Sequence, residues 1–308
     1  MLRVLILAAV FASSCSAVAV ATAADAWGTI TILEGDALIY RGSGRLHASE
    51  GVRLMAGDIV ETAASTFAQA ELADQSVAQF GPTTRVMING SVTRQKPERW
   101  LYVMDGWAKV TGMKRDPAAG PGFDLRTPLF EMPANTAVVV LRGAPSEVNL
   151  FVERGEARIA ERQASANPTP LTLKGGDFYR RKSLARGVVN PGSMQTFVDE
   201  MPRYFRDSLP LRIDRFRDRP VQPTEASDFA YADVERWLKA EPALRRPLMQ
   251  RWRGKARESA FRSALVANLS AHPEWDPILF PEKYRPKEPA PRAAHAALRS
   301  ASAAASAP

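Results

Sequence analysis

Cysteine and histidine are scarce in this chain. Its 308 residues include one cysteine, Cys15, and three histidines, His47, His272 and His295. A chain processed beyond Cys15 would have no thiol for a disulfide, a thiolate metal site or a cysteine nucleophile. The histidines lack metal-ligand spacing, and a zinc site needs several ligands at defined intervals. We therefore predict no metal site and no cofactor.

Catalytic motifs and a second long apolar run are missing too. The best apolar run after the N-terminus, residues 137–141, is strand-sized, whereas a membrane span needs about 20 residues. The chain has no Gly-x-Ser-x-Gly motif and no glycine-rich phosphate loop leading into a helix. Two acidic pairs, Glu71 with Asp74 and Glu153 with Glu156, are interpreted as solvated positions in turns or on strands. We expect no catalytic residues, no enzyme and no integral membrane span in the mature chain.

The N-terminus has the layout of a secretory signal. Arg3 precedes an apolar run at residues 4–11, and small residues continue to Ala23. An Ala-x-Ala site there predicts that residues 1–24 are a signal peptide and that the mature protein is periplasmic. The alternative is a lipoprotein tethered through Cys15, since residues 12–15 loosely resemble a lipid-attachment box.

The net charge of +8 is spread over the whole chain, and 45% of the residues are hydrophobic. This composition is sufficient for a packed core. The charge favours acidic partners, such as an envelope protein or an anionic wall or lipid surface. Nucleic acid is not expected as a partner, because an exported protein leaves the cytoplasm.

Residues 27–182 have the pattern of short strands separated by glycine turns. Apolar residues alternate in three runs: Ile30 and Ile32; Ala68, Ala70 and Leu72; and Val148, Leu150 and Val152. Such runs with regular glycine turns indicate a sandwich, a barrel or a β-solenoid. The predicted turns include Asn89-Gly90 and Asp105-Gly106. We also predict structural turns at the Gly-Asp pairs Gly57-Asp58 and Gly176-Asp177, because Gly accepts a positive φ and Asp can bind nearby amides.

The order of these segments resembles the FecR domain. The resemblance follows residues 28–32, 34–37, 50–54, 56–62, 68–74 and 80–82, and later residues 100–106, 123–128, 152–157 and 173–177. Its most specific part is Gly57-Asp58-Ile59-Val60-Glu61-Thr62. The resemblance implies a periplasmic, β-solenoid-like domain over residues 26–182.

Two features depart from the FecR pattern. Gln75 replaces the usual glycine of the middle turn, so that turn must be reshaped. FecR regulators carry a cytoplasmic anti-sigma region and a membrane helix ahead of this domain, whereas here a signal peptide precedes it directly. The resemblance therefore implies the fold without the sigma-factor mechanism.

Helical patterns begin after residue 192. Ser193 is a candidate N-cap for a helix with Phe197, Val198, Met201 and Phe205 on one face. We interpret residues 209–227, which are rich in Arg, Asp and Pro, as an extended connector.

Three amphipathic segments follow the predicted connector. Their apolar stripes are Val234, Trp237 and Leu238; Leu244, Leu248 and Trp252; and Phe261, Leu265 and Leu269. An aromatic, proline-broken stretch at residues 273–284 is expected to lie across the helices or the β domain. We thus predict a helical module of unknown family at residues 192–285 and a disordered tail at 286–308.

A basic run in the second amphipathic region is the candidate binding patch. Its members are Arg245, Arg246, Arg251, Trp252, Arg253, Lys255 and Arg257. Such a run is usually a solvated helix face, but the Trp within it is also compatible with an amphipathic binding surface. The leading hypothesis is a non-enzymatic envelope module that binds or scaffolds an envelope protein or wall polymer. The alternative is an accessory component of envelope signal transduction that acts through a separate membrane partner.

Overall fold

A computed structural model describes residues 26–91, 98–112, 122–162, 170–183, 185–190, 192 and 194–285. It confirms a mainly β region followed by a smaller set of helices. The chain divides into two compact units, which we call the β unit, ending at Ser227, and the helical unit, starting at Asp228. The predicted signal peptide with Cys15, the N-cap Ser193 and the predicted tail lie outside the described residues.

Short strands separated by turns make up most of the β unit. The described strands are β1 (Ala26–Glu34), β2 (Ala37–Arg41), β3 (Gly44–His47), β4 (Arg53–Met55), β5 (Ile59–Thr62), β6 (Phe67–Glu71), β7 (Val77–Phe80), β8 (Arg85–Ser91), β9 (Glu98–Thr111), β10 (Asp124–Arg126), β11 (Phe130–Met132), β12 (Val138–Ala144), β13 (Glu147–Arg154), β14 (Glu156–Glu161), β15 (Pro170–Lys174), β16 (Phe178–Lys182), β17 (Val188–Val189) and β18 (Thr224–Glu225).

These strands pair in two series that share β9. One series runs β4-β1-β6-β7-β9-β12-β13-β16-β17, and we call it the first sheet. The other runs β18-β3-β2-β5-β8-β9-β10-β11-β14-β15. All pairs are antiparallel except β9 with β10. The β unit is thus a curled, mainly antiparallel sheet.

The strand β9 changes partners at Gly106, which has a φ of +91°. Residues before it pair with β8, and residues after it pair with β7 and β12. A Cβ at Gly106 would lie 2.3 Å from the Cα of Thr84, so the crossing requires glycine. The predicted turns at Asn89-Gly90 and Asp105-Gly106 were wrong, because both pairs lie inside strands.

Buried side chains from both pairing series form one core. It includes Ile30, Leu141 and Leu150 from the first series and Ile39 and Val86 from the second. The strand β13 shows the expected alternation of buried and half-buried residues. The strand β6 differs, because all five of its residues are buried. Both faces of β6 must therefore be covered.

The cover on β6 is residues 194–227, which we call the belt. It contains α1 (Met194–Glu200), two short 3-10 helices (Arg203–Phe205 and Ile213–Phe216) and β18. Phe197, Met201 and Phe205 pack in one cluster with Phe67 and Trp107 of the first sheet.

Sequence reasoning placed residues 209–227 in an extended connector and began the helical module at residue 192. In the structure the whole belt belongs to the β unit. Its hydrogen bonds to strands and strand loops hold it there, including the pairing of β18 with β3.

The helical unit contains α2 (Tyr231–Leu238), α3 (Pro242–Arg251), α4 (Ser259–Ala267) and α5 (Asp276–Leu279), with short 3-10 helices between them. Pro242 opens α3, where its missing N–H costs nothing. Trp237, Trp252 and Trp275 are all buried. In the proline-broken stretch, Trp275 and Leu279 are buried while Tyr284 is exposed.

Candidate binding surfaces

The turn at Gly57-Asp58 is built around a buried carboxylate. Gly57 has a φ of +88°, and Asp58 is 1% exposed. Asp58 accepts two hydrogen bonds from the Arg41 guanidinium, at 2.9 and 2.6 Å, and one from the Met55 amide at 2.8 Å. A carboxylate held this way orders the turn.

The second turn, at Gly176-Asp177, also has an Asp that accepts hydrogen bonds after a glycine, although this Asp is only half-buried. Gly176 has a φ of +94°. The Lys174 amide donates to Asp177 Oδ2 at 2.8 Å, and the Asn190 side chain donates to Asp177 Oδ1 at 3.3 Å. This carboxylate also binds the chain around its own turn.

Glu71 belongs to the first of the two acidic pairs and was interpreted as a solvated residue. That interpretation was wrong, because Glu71 is fully buried. Its carboxylate accepts hydrogen bonds from Thr31 Oγ1 at 2.6 Å and Gln69 Nε2 at 3.0 Å. It also accepts the belt amides of Arg212, at 2.9 and 3.0 Å, and Ile213, at 3.0 Å. The expectation failed because the belt covers this face of β6.

Each of the other three acidic residues has its own hydrogen-bond or ion-pair partner. Asp74 accepts the Ser76 amide at 3.0 Å. Glu153 pairs with Lys109 at 2.8 Å, and Glu156 with Arg158 at 3.4 Å. Among the described residues, no group of His, Cys, Asp or Glu is arranged to hold a metal ion.

Three members of the predicted basic patch lie inside the helical unit. Trp252 is fully buried, with its ring 5.4 Å from that of Phe229. Lys255 is 5% exposed and lies 4.6 Å from the Phe229 ring centre. Arg245 pairs with Glu274 at 2.9 Å and donates to the Ala240 carbonyl.

Electrostatics agree with an internal role for these cations. Burial alone would lower the pKa of Lys255, but hydrogen bonds to Asp228 and Glu258 outweigh it and raise the pKa. The hydrogen bond from Arg245 lowers the pKa of Glu274. Lys255 therefore stays charged in the fold, and Arg245 is paired with Glu274.

The remaining members of the patch face outward to different degrees. The Arg246 side chain is 69% exposed and lies 3.7 Å from Glu274. Arg253 and Arg257 are exposed at the two ends of the 3-10 helix that follows α3, and Arg251 is half-buried. The surface available to a partner is thus Arg246, Arg253 and Arg257, which we call the exposed arginines.

His272 is a buried group that sequence reasoning did not single out. It is fully buried, and its Nε2 lies 3.1 Å from the Tyr231 hydroxyl. Its Nδ1 has no hydrogen-bond partner. Burial lowers the pKa of His272, so it is neutral near pH 7. His47 lies exposed on β3, and His295 is outside the described residues.

The belt occupies a groove on the β unit. Leu211 in its middle is 50% exposed. A cleft of about 390 Å³ lies beside it, lined by residues that include Gly28 and Thr29 of β1, Gln75, Leu211 and Phe216. This middle section is therefore less tightly packed than the section around Phe205. Among the described residues, no helix is long and apolar enough to cross a membrane.

Comparisons with known proteins found similarity only among solved structures. No family model matches the chain, and neither does any curated protein. Two crystal structures of a "putative anti-sigma factor" from Parabacteroides distasonis ATCC 8503 align with a TM-score of 0.36 each, at 11% and 12% identity. Each alignment covers 46% of this chain. The aligned part spans 64% and 65% of the two structures, which is less than two thirds of their length.

Proposed function

We propose that this chain is a non-enzymatic binding module of the bacterial cell envelope, whose helical unit contacts an anionic wall polymer. The observation that carries the proposal is the division of the basic patch into buried and exposed members. Arg245, Trp252 and Lys255 serve the fold. Arg246, Arg253 and Arg257 remain at the surface, where their positive charges attract negatively charged groups of a partner at long range.

A polymer is favoured over a lipid bilayer for this surface. An amphipathic membrane surface combines cations with an apolar anchor that enters the bilayer. Trp252, the aromatic residue of the patch, is fully buried and packs against Phe229 inside the helical unit. The periplasmic location rests on the N-terminal pattern of Arg3, the apolar run 4–11 and Ala23.

Charge reversal tests the surface without disturbing the core. The variant R246E/R253E/R257E should keep the wild-type circular dichroism spectrum and lose most of its co-sedimentation with purified wall sacculi. The control R154E/R158E/R186E changes net charge equally, using exposed arginines of the β unit, and should still sediment. Wild-type binding should weaken as salt rises, because screening acts over about 8 Å at physiological ionic strength.

Two results would reject this assignment. Equal sedimentation of the helical-unit variant and the wild type would remove the exposed arginines as a binding surface. Binding to anionic vesicles but not to sacculi would assign the surface to lipid.

A second candidate function is envelope signalling, which the resemblance of residues 26–182 to the FecR domain supports. In this role the β unit would meet a separate membrane partner. Affinity purification from envelope extract, with the wild type and the triple variant in parallel, distinguishes the two candidates. Recovery of one membrane protein at equal yield with both chains would favour signalling.

A further inference from the structure

Many of the contacts that hold the belt are hydrogen bonds to its main chain. The β unit donates to belt carbonyls from Lys109 (to Phe205), Gln69 (to Pro210, 3.4 Å), Arg53 (to Arg217, 3.0 Å) and Arg45 (to Ser227, 2.7 Å). It accepts belt amides at Glu71 (from Arg212 and Ile213), the Gly51 carbonyl (from Val221, 3.2 Å) and the Arg45 carbonyl (from Ala226, 3.0 Å). Every residue carries a main-chain carbonyl, and every residue except proline carries an amide N–H, so most of these contacts suit any extended peptide.

Two belt side chains add specificity at Gly51. A Cβ at Gly51 would lie 2.6 Å from Val221 Cγ2 and 2.8 Å from Phe216 Cδ1. The missing side chain therefore creates a socket for an aromatic and a branched residue five positions apart. Nearby, β18 pairs with the edge of β3, whose other edge pairs with β2. Addition of a strand to a sheet edge is a common mode of peptide recognition.

The floor under the middle of the belt is polar. Gln79 donates to Gln69 at 2.8 Å, and Gln69 and Thr31 donate to Glu71. Gln79 Oε1 is buried without a hydrogen-bond partner. Water can satisfy such groups when the belt leaves, whereas exposure of the apolar cluster around Phe205 would cost much more. Residues 206–227, of which only Leu209 packs against that cluster, are thus the part of the belt whose release would cost least.

We propose that this groove, formed by Gly51, Arg53, Gln69, Glu71 and β3, is a binding site for an extended peptide segment of another protein. Belt residues 206–227 occupy this groove and compete with the partner segment for it. The partner segment needs two consecutive free amides for Glu71 and an aromatic residue for the Gly51 socket. This site is built only from residues of the β unit, so the proposal stands apart from the proposed function.

The test uses the full chain and a labelled synthetic peptide with the sequence of residues 206–227. The variant F216A/V221A weakens the resident belt and leaves the groove unchanged. It should bind the peptide about tenfold more tightly than the wild type, because apparent affinity rises with the fraction of open groove. Because the belt of this variant is already weakened, adding E71Q should act mainly on the peptide and reverse the gain. Adding E131Q, which alters the β11 carboxylate paired with Arg162, should not.

A modified peptide tests main-chain recognition. Methylation of the peptide nitrogen that corresponds to Ile213 removes one donor to Glu71 and should weaken binding at least as much as E71Q. No binding to a folded F216A/V221A variant, or equal binding with and without E71Q, would overturn the proposal. Dimerisation of the variant without peptide would assign the groove to a second copy of the chain and would also overturn it.

Hydrogen exchange of the wild type covers the case in which F216A/V221A does not fold. The amides of Arg212, Ile213 and Val221 should exchange faster than those of the core strand β13 (Glu147–Arg154). Exchange as slow as that of β13 would show that the belt does not detach, and the proposal would fail.

Discussion

The two units bury charged and polar groups in different ways. In the β unit, Glu71 accepts amides from the belt, and Arg181, 1% exposed, donates to the carbonyls of Leu129, Arg162 and Ala185. The amides and carbonyls that these side chains bind lie far away in the sequence or in loops. In the helical unit, Lys255 pairs with the side chains of Asp228 and Glu258, and His272 with that of Tyr231.

This difference matches the elements in each unit. A strand loop or a belt has unpaired amides and carbonyls, so a buried charge can satisfy them and be satisfied in return. Helices satisfy most of their own main chain, which leaves side chains to make the contacts between them. The helical unit therefore depends on aromatic packing, and the β unit adds polar links between segments to its apolar core.

Removing the central aromatic residue of the helical unit should have the largest effect. Trp252→Ala leaves a cavity beside Phe229 and should cost about 4 kcal/mol. The free energy of unfolding from denaturant titration measures the loss, and hydrogen exchange should rise most in residues 228–285. Trp252→Phe is the matched control and should cost clearly less. An unchanged midpoint for Trp252→Ala would contradict the dependence on aromatic packing.

Removing the Glu71 carboxylate, which links β6 to the belt, should have the second-largest effect on stability. Glu71→Ala leaves the amides of Arg212 and Ile213 without their acceptor and should cost about 3 kcal/mol. Denaturant titration measures the cost, and faster exchange at residues 210–216 locates it. Glu156→Ala, on the exposed end of β14, should cost little. Equal losses for the two variants would mean that Glu71 does not hold the belt.

The next prediction concerns Gly57, the positive-φ glycine in a turn of the β unit. Gly57→Val places a β-branched residue at a φ of +88° and should cost about 2 kcal/mol. In the helical unit, a Cβ at Gly254 would meet no atom within 4 Å, so Gly254→Ala should be nearly neutral. Thermal melts compare the two, and a Gly57→Val melt identical to wild type would refute the turn geometry.

Acid should affect the helical unit through His272. Burial lowers the pKa of His272 below its ordinary 6.5, so between its folded and unfolded pKa values the unfolded chain binds more protons. Stability should be full above pH 6.5 and should fall as the pH drops from 6.5 towards the lowered pKa. The pKa values of Glu274 and Asp276 are also lowered from their ordinary values of 4.5 and 3.8. These two groups therefore change the stability only at a pH below those ordinary values.

Denaturant titrations at several pH values check this dependence on His272. Replacement with glutamine (H272Q) should flatten the profile between about pH 7 and pH 5. A wild-type slope that survives H272Q would assign the dependence to other groups.

The smallest expected effect is a gain in stability. Gln75 takes a φ of +64°, in the left-handed region that favours glycine. Gln75→Gly removes that strain but adds freedom to the unfolded chain, so the net gain should be about 0.5 kcal/mol. A small rise in melting temperature measures it, and a fall would mean that the Gln75 side chain makes a stabilising contact.

Local patterns were enough to predict much of the fold. Alternation predicted β strands such as β13, and the stripe of Leu244, Leu248 and Trp252 predicted a helix whose apolar face is buried. Glycine chemistry located Gly57 and Gly176 at positive φ. These features follow from a period of two or 3.6 residues and from the missing Cβ of glycine, which are properties of neighbouring residues.

Sequence periodicity could not show which surfaces the belt covers. The belt sequence of Arg, Asp and Pro has no strong period, because it is held mainly by its amides and carbonyls, which every sequence has. Glu71 therefore looked like a solvated strand residue, although Arg212 and Ile213, more than 140 positions away, bury it.

The sequence by itself determined the β-then-helix order, the turn glycines and the apolar stripes. Only the tertiary structure decided which polar groups are buried. It divided the basic run into the internal Arg245 and Lys255 and the exposed Arg246, Arg253 and Arg257. The physical reason is that a charge is internal or external according to which distant segment packs over it, and that contact leaves no local pattern.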